Sequence, residues 1–128
     1  MAHFNEKRAQ YFSADKTWLE LSKTIRAIQN HNLSNLSFEE NHRYGYNMVI
    51  HGQGEMLYEG VNLLVAENLE KLAREQVVPK LPTGTINDAA QQSLAGELLL
   101  KSLRDVWDDH VYSMTRIGLM LKYMVCCY

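Results

Sequence analysis

Both prolines of this chain fall in one short stretch, VVPKLPTGTIND, from Val77 to Asp88. Proline lacks an amide donor and Gly84 adds backbone entropy, so this stretch is expected to be a linker that no helix crosses. On either side of it nothing forbids helix, and strand signals are scarce. Trp18, Leu21, Ile25 and Ile28 recur at three- and four-residue steps. That spacing stacks them on one face of a helix, predicted from an Asp15 cap to about Asn30. Tyr11 and Phe12 lie upstream as a candidate staple. His31, Asn32, Ser34 and Asn35 form a polar turn. Ser37 and Glu40 make a capping-box pattern that opens a second helix, which should run to about His51. Gly52 suits the position after its end because it tolerates positive φ.

A third helix is predicted from about Glu55 to Arg74, with a core stripe of Leu57, Val61, Leu64, Leu69 and Leu72. Beyond the linker the chain is helical again from about Ala89. Leu94, Leu98, Leu103, Val106, Trp107, His110, Val111 and Met114 keep helical spacing, and Ile117, Leu121 and Met124 continue it. This is one long helix or two in sequence, because Gly118 weakens a helix without having to end it. The expected fold is an all-α bundle of four or five helices. Its parts are an N-terminal segment over 1–14, a helical domain over 15–124 with a loop at 77–88, and a divergent end over 125–128.

Composition narrows the function. The 128 residues suffice for one domain, and 46% hydrophobic with 22% charged residues is a globular rather than a disordered mix. A net charge of −2 gives no basic footprint for a phosphate backbone, so nucleic acid is not an expected partner. No apolar run approaches the roughly 18 residues of a membrane span, and MAHFNEKRAQ has no apolar signal-peptide core. Only two cysteines are present, adjacent at Cys126 and Cys127, which argues against a disulfide framework. The expectation is a soluble intracellular protein that does not bind membranes.

The second helix carries the most information. With Phe38 at zero and about 100° per residue, Asn41, Tyr44, Gly45 and Met48 fall at about 240° to 340°. Phe38, His42, Tyr46, Val49 and Ile50 fall at about 0° to 120°. The apolar and aromatic arc covers roughly 240°, more than a helix lying on one core needs. Either the helix is buried on two sides, or one side awaits a partner. The residue types favour a partner, since Tyr and His carry polar tips suited to a surface that is wet before binding and dry afterwards.

Catalytic signals are weak. Glu39 and His42 form a single E-x-x-H, half of a di-iron pattern whose second copy is absent from the sequence. Asp108, Asp109 and His110 point about 100° apart on a helix and cannot readily share a proton or a metal. HGQGE lacks the third glycine and the Lys-Ser/Thr of phosphate loops. Cys126 and Cys127 have no histidine nearby in sequence and are expected to fill the chain end. No catalytic residue, cofactor or metal is therefore assigned.

The run LSFEE, Tyr46-Asn47-Met48-Val49, His51, Gly54-Glu55, Leu57-Tyr58 and Gly60, followed by Trp107, Asp109-His110, Met114, Ile117 and Tyr123-Met124, resembles the N-terminal end of a cullin. It is most similar to the branch that binds BTB-domain adaptors. LPTG with a following QQS resembles the longer third-to-fourth helix loop of fungal members. The likeness runs from about Trp18 to Met124. It implies the first cullin repeat, a five-helix bundle at the tip of a ubiquitin-ligase scaffold. That tip holds a BTB adaptor and catalyses nothing, while the other end of a full cullin recruits a RING protein. A scaffold of this kind is expected in the cytoplasm or nucleus.

Carried over residue by residue, the family's adaptor surface would be Leu36, Ser37, Phe38, Glu39, His42, Arg43 and Tyr46, with Tyr123 from the fifth helix. Leu36 and Phe38 would enter an apolar groove, Tyr46 and Tyr123 would supply flat area, and Glu39 would sit at the rim. Three departures stand out. The family usually has tyrosine where this chain has His42, which adds a titratable ring and implies weaker binding as pH falls. Tyr-Met continues as Val125-Cys126-Cys127-Tyr128 rather than Asp-Arg-Val-Tyr, which removes an expected arginine contact. Only 17 residues precede Trp18, so the adaptor-binding N-terminal arm looks shortened. A fragment of this kind is expected to bind an adaptor without recruiting a RING protein. The competing expectation is a plain helical bundle that homodimerises through the Phe38 and Tyr46 face.

Overall fold

The computed structural model describes residues 12–82 and 88–127, without the side chain of Cys127. Among them are five α-helices and no strand: α1 (Ala14–Gln29), α2 (Phe38–Ile50), α3 (Gly54–Leu72), α4 (Ala89–Met120) and α5 (Lys122–Cys127). The all-α class and the five helices match the expected fold. Two compact units divide the chain. One comprises residues 1–64 with 116–128, the other 65–115.

In the first unit, α1 starts two residues earlier than an Asp15 cap predicts. Its cap is Ser13, whose Oγ accepts from the Lys16 amide at 3.4 Å, and Asp15 sits instead in the first turn. An acidic residue there favours the positive end of the helix dipole, which is why it resembled a cap. Phe12 stacks on His51, with ring centroids 4.0 Å apart. Tyr11 lies outside the described residues.

Both interhelical turns use the same end motif. After α1, the amide of Asn32 donates to the Ala27 carbonyl and that of His31 to Ile28, with His31 at a φ of 59°. After α2, the amide of Gln53 donates to Met48 and that of Gly52 to Val49, with Gly52 at a φ of 75°. Gly52 takes this left-handed conformation at little steric cost, whereas His31 incurs a Cβ penalty for it.

Leu21, Ile25 and Ile28 of α1, Met48 of α2, Leu57, Val61 and Leu64 of α3, and Ile117, Met120, Leu121 and Met124 near the C-terminus form the buried core of this unit. Trp18 packs against Gly60, and a Cβ at Gly60 would run into the indole ring. Gln29 Nε2 donates to the Leu64 carbonyl at 3.2 Å and ties the end of α1 to α3.

In the second unit, α3 continues past Leu72 as a π turn over Ala73–Val77 and a short 3-10 turn over Val78–Lys80. Helical structure therefore enters the predicted linker. Pro79 permits this because it stands in the first turn of the 3-10 segment, where no amide is needed. Residues 83–87 of the predicted linker lie outside the description. Leu72 is buried as expected, while Leu69 is only half-buried. The long C-terminal stretch resolves into one helix, α4, which passes through Gly118, followed by α5 after Leu121.

Two substitutions test this packing. Gly60→Ala forces a methyl into a rigid indole and should cost about 1–3 kcal/mol of stability in urea denaturation. Thr24 Oγ1 donates to Asn41 Oδ1 at 2.8 Å in a buried site. Thr24→Val removes that donor while keeping the volume, and should cost about 1–3 kcal/mol by the same measurement.

Candidate functional site

The α2 helix begins where the sequence said it would. Ser37 Oγ accepts from the Glu40 amide at 3.2 Å. The reciprocal half of the capping box is replaced: the Glu40 carboxylate accepts from the Tyr44 hydroxyl at 2.5 Å. That hydrogen bond, reinforced by desolvation and the Glu40 charge, holds the Tyr44 phenol above its ordinary pKa. Tyr44 is thereby fixed half-buried along the side of α2 rather than in the core.

The inward face of α2 is narrow and built of Asn41, Gly45 and Met48, all buried. Asn41 Nδ2 donates to the Ser37 carbonyl at 2.8 Å while its oxygen takes the Thr24 hydroxyl, so this buried amide is satisfied across the α1–α2 contact. Gly45 admits Leu121, the residue just before α5, closely, and a Cβ there would stand 2.8 Å from Leu121 Cδ2. With α1 and α5 both packed on α2, the remaining residues have nowhere to go but out. Phe38 is 55% exposed, Tyr46 39% and Ile50 55%. The division drawn by the helical wheel is thus the one the structure adopts, apart from Tyr44 and the half-buried His42 and Val49.

His42 takes an intermediate position. Its ring is half-buried, and Nδ1 lies 3.0 Å from the Met120 carbonyl oxygen. A carbonyl only accepts, so Nδ1 carries the proton and donates. Met120 is the last residue of α4, where a carbonyl near the helix end needs an outside donor. His42 therefore joins α2 to the break between α4 and α5.

The aromatic rings form a continuous surface. Phe38 lies nearly parallel to His42 at 6.3 Å, His42 meets Tyr123 at 5.4 Å, and the edge of Tyr123 meets Tyr46 at 4.8 Å. Tyr123, 46% exposed, comes from α5. The carried-over residues Glu39, His42, Arg43, Tyr46 and Tyr123 line one open recess of about 270 Å³. Glu39 and Arg43 pair at 3.7 Å on the exposed rim, a contact weak in energy but able to bias the sign of a partner.

Leu36, Ser37 and Phe38 border a second recess of about 250 Å³, with Ile28, Leu33 and Leu119 among its apolar walls and Arg116 at its edge. The sequence did not single out Ile28, Leu33, Arg116 or Leu119 as site residues. They come from α1, a turn and the last turn of α4, and only the packing of those elements gathers them beside Phe38.

The other sequence candidates are not gathered. Among the described residues, no group of three His, Cys, Asp or Glu side chains is placed to hold a metal ion. Asp108 is exposed, and the His110 ring leans on Trp107 at 5.6 Å. Cys126 is exposed near the end of α5.

Comparison with known proteins supplies the family. The model of the cullin alpha solenoid domain matches residues 18–128. Cullin-3B of Arabidopsis thaliana is 36% identical over 111 residues, which are 87% of this chain and 13% of that protein. Cullin-3 of Dictyostelium discoideum is 34% identical over 109 residues, 85% of this chain and 12% of that protein. Cullin-3 of Schizosaccharomyces pombe is 30% identical over 121 residues, 84% and 15% respectively. The chain thus spans less than a sixth of the length of these relatives. A family match over nearly all of its helices, at this identity, means that the chain belongs to the cullin family.

Proposed function

We propose that this chain is the adaptor-docking repeat of a cullin-type ubiquitin-ligase scaffold, and that the Phe38–His42–Tyr123–Tyr46 surface binds BTB-domain adaptors. The observation that carries the reading is the outward set of rings on α2 and α5. They stand at the positions onto which the family's adaptor surface maps, and they are exposed because the inward face of α2 is already filled. On this reading the chain is a non-catalytic interaction module acting in the cytoplasm or nucleus, within a ubiquitin-ligase complex.

Each residue then has a physical role. Phe38, with Leu36 behind it, offers an apolar anchor. Tyr46 and Tyr123 bury flat rings while their hydroxyls stay at the edge, where water or a polar partner group satisfies them. Ser37 shapes the entry to α2 through its cap. Glu39 and Arg43 set register at the rim rather than depth of binding. His42 holds Tyr123 in place from beneath, through its donation to the end of α4.

A pull-down with a panel of BTB adaptors tests the docking face. Phe38→Ala combined with Tyr46→Ala should weaken capture by about a hundredfold or more, since aromatic anchors each cost about 2–4 kcal/mol when truncated. Far-ultraviolet circular dichroism should be unchanged, because both rings are exposed in this chain. Capture that survives the double change would overturn the assignment. A shift of the free chain from dimer to monomer by the same change, with no adaptor capture at the start, would favour homodimerisation through this face.

His42 is tested apart from the exposed rings. His42→Phe keeps an aromatic ring but removes the donor to the Met120 carbonyl. Adaptor affinity measured by calorimetry should fall about tenfold, the worth of one lost hydrogen bond. Unchanged affinity would remove His42 from the docking surface.

A further inference from the structure

The centre of the aromatic surface has a fixed hydrogen-bonding sense. His42 Nδ1 stands 3.0 Å from the Met120 carbonyl oxygen, and a carbonyl only accepts, so the ring proton is held on Nδ1. In a neutral imidazole the tautomer is set by the bond one nitrogen makes, and the other nitrogen is left with a bare lone pair. Here that other nitrogen is Nε2. It lies across the ring from the edge that meets the end of α4. His42 also lines the open recess, together with Glu39, Arg43, Tyr46 and Tyr123. What the ring offers a docked protein at that edge is an acceptor.

The other polar groups of the recess have no such fixed demand. The hydroxyls of Tyr46 and Tyr123 both donate and accept, and they rotate to suit. Glu39 and Arg43 pair with each other at 3.7 Å, and their side chains are 89% and 65% exposed, so water and each other satisfy them. The His42 ring is half-buried, with Phe38 on one side and Tyr123 on the other. A protein that covers these rings strips water from Nε2, and whatever replaces the water must donate. A carbonyl, a carboxylate or an apolar side chain placed there leaves the lone pair dry and unpaired. Such a desolvated, unpaired acceptor is a penalty against the wrong partner.

We propose that His42 selects among adaptors: through Nε2 it requires a hydrogen-bond donor, a hydroxyl or an N–H, on the docked protein opposite the Phe38–Tyr123–Tyr46 surface. This rests on the docking reading and adds the chemistry an adaptor must place at the middle of that face. The Met120 carbonyl is part of the device. It never touches the partner, yet it holds the tautomer that makes Nε2 an acceptor.

Nitrogen NMR of the whole chain with isotope-labelled histidine, free and saturated with a BTB adaptor, is the test. The His42 signals are those that vanish in His42→Asn. In the free chain Nδ1 should be protonated and Nε2 unprotonated. On binding, Nε2 should remain unprotonated and move toward the hydrogen-bonded end of its range. His42→Asn serves a second time, because its short amide reaches where Nδ1 stands, keeps a donor for Met120 and has nothing at Nε2. It should weaken adaptor capture about tenfold, the worth of one lost hydrogen bond. A free ring with its proton on Nε2, or on both nitrogens, overturns the proposal, as does full capture by His42→Asn. An adaptor that binds while Nε2 stays still, or moves toward the bare-lone-pair end, overturns it and leaves the docking face standing. No adaptor binding by the wild type overturns both readings.

Discussion

Everything at the candidate surface follows from how little room α2 needs on its inner side. Asn41, Gly45 and Met48 make that side narrow. One position has no side chain, one has a short amide that bonds to Thr24 and to the Ser37 carbonyl, and one has a flexible thioether that fills what is left. Helices α1 and α5 can therefore both lie close against α2. A leucine at position 45 would push α5 away and carry Tyr123 with it, and the ring contact between Tyr123 and Tyr46 would not form. The aromatic surface is in this sense a product of the small residues beneath it.

The amide at Asn41 also makes that packing specific. A buried hydrogen bond contributes modest net stability, but leaving either partner unpaired is costly. Any slip of α1 along α2 would separate Thr24 from Asn41, so the pair selects one register of the two helices. Hydrophobic contacts among Leu21, Ile25 and Met48 would tolerate such a slip far better, being non-directional. The position of the rings relative to α1 is thus determined by the polar contact and stabilised by the apolar ones.

Helix count, the Ser37 cap, the Gly52 turn and the two-sided character of α2 were all legible in the sequence, because each depends on spacing or on the chemistry of one or two neighbouring residues. What was not legible depends on elements meeting. The Glu40 carboxylate could have returned to its own helix start, but Tyr44 one turn later offered a better donor. Periodicity alone could not say which side of α4 faces inward: Leu94, Leu98 and Trp107 read like core residues, while Ser102 and Ser113 do not, and packing reversed that expectation. The extension of α3 to Lys80 was hidden because a proline in a first helical turn and a proline that ends a helix are the same letter.

The exposed rings of α2 and α5 differ in chemistry from the exposed side chains of α4. Tyr46, Tyr123 and His42 each carry a polar atom that can meet water, next to Phe38. Such a surface can remain solvated when free and lose little by being uncovered. Leu100, Leu103, Trp107, Val111 and Met114 of α4 carry one indole N–H as their only side-chain hydrogen-bonding group. That surface gains more from being covered, because apolar area removed from water is what it has to offer.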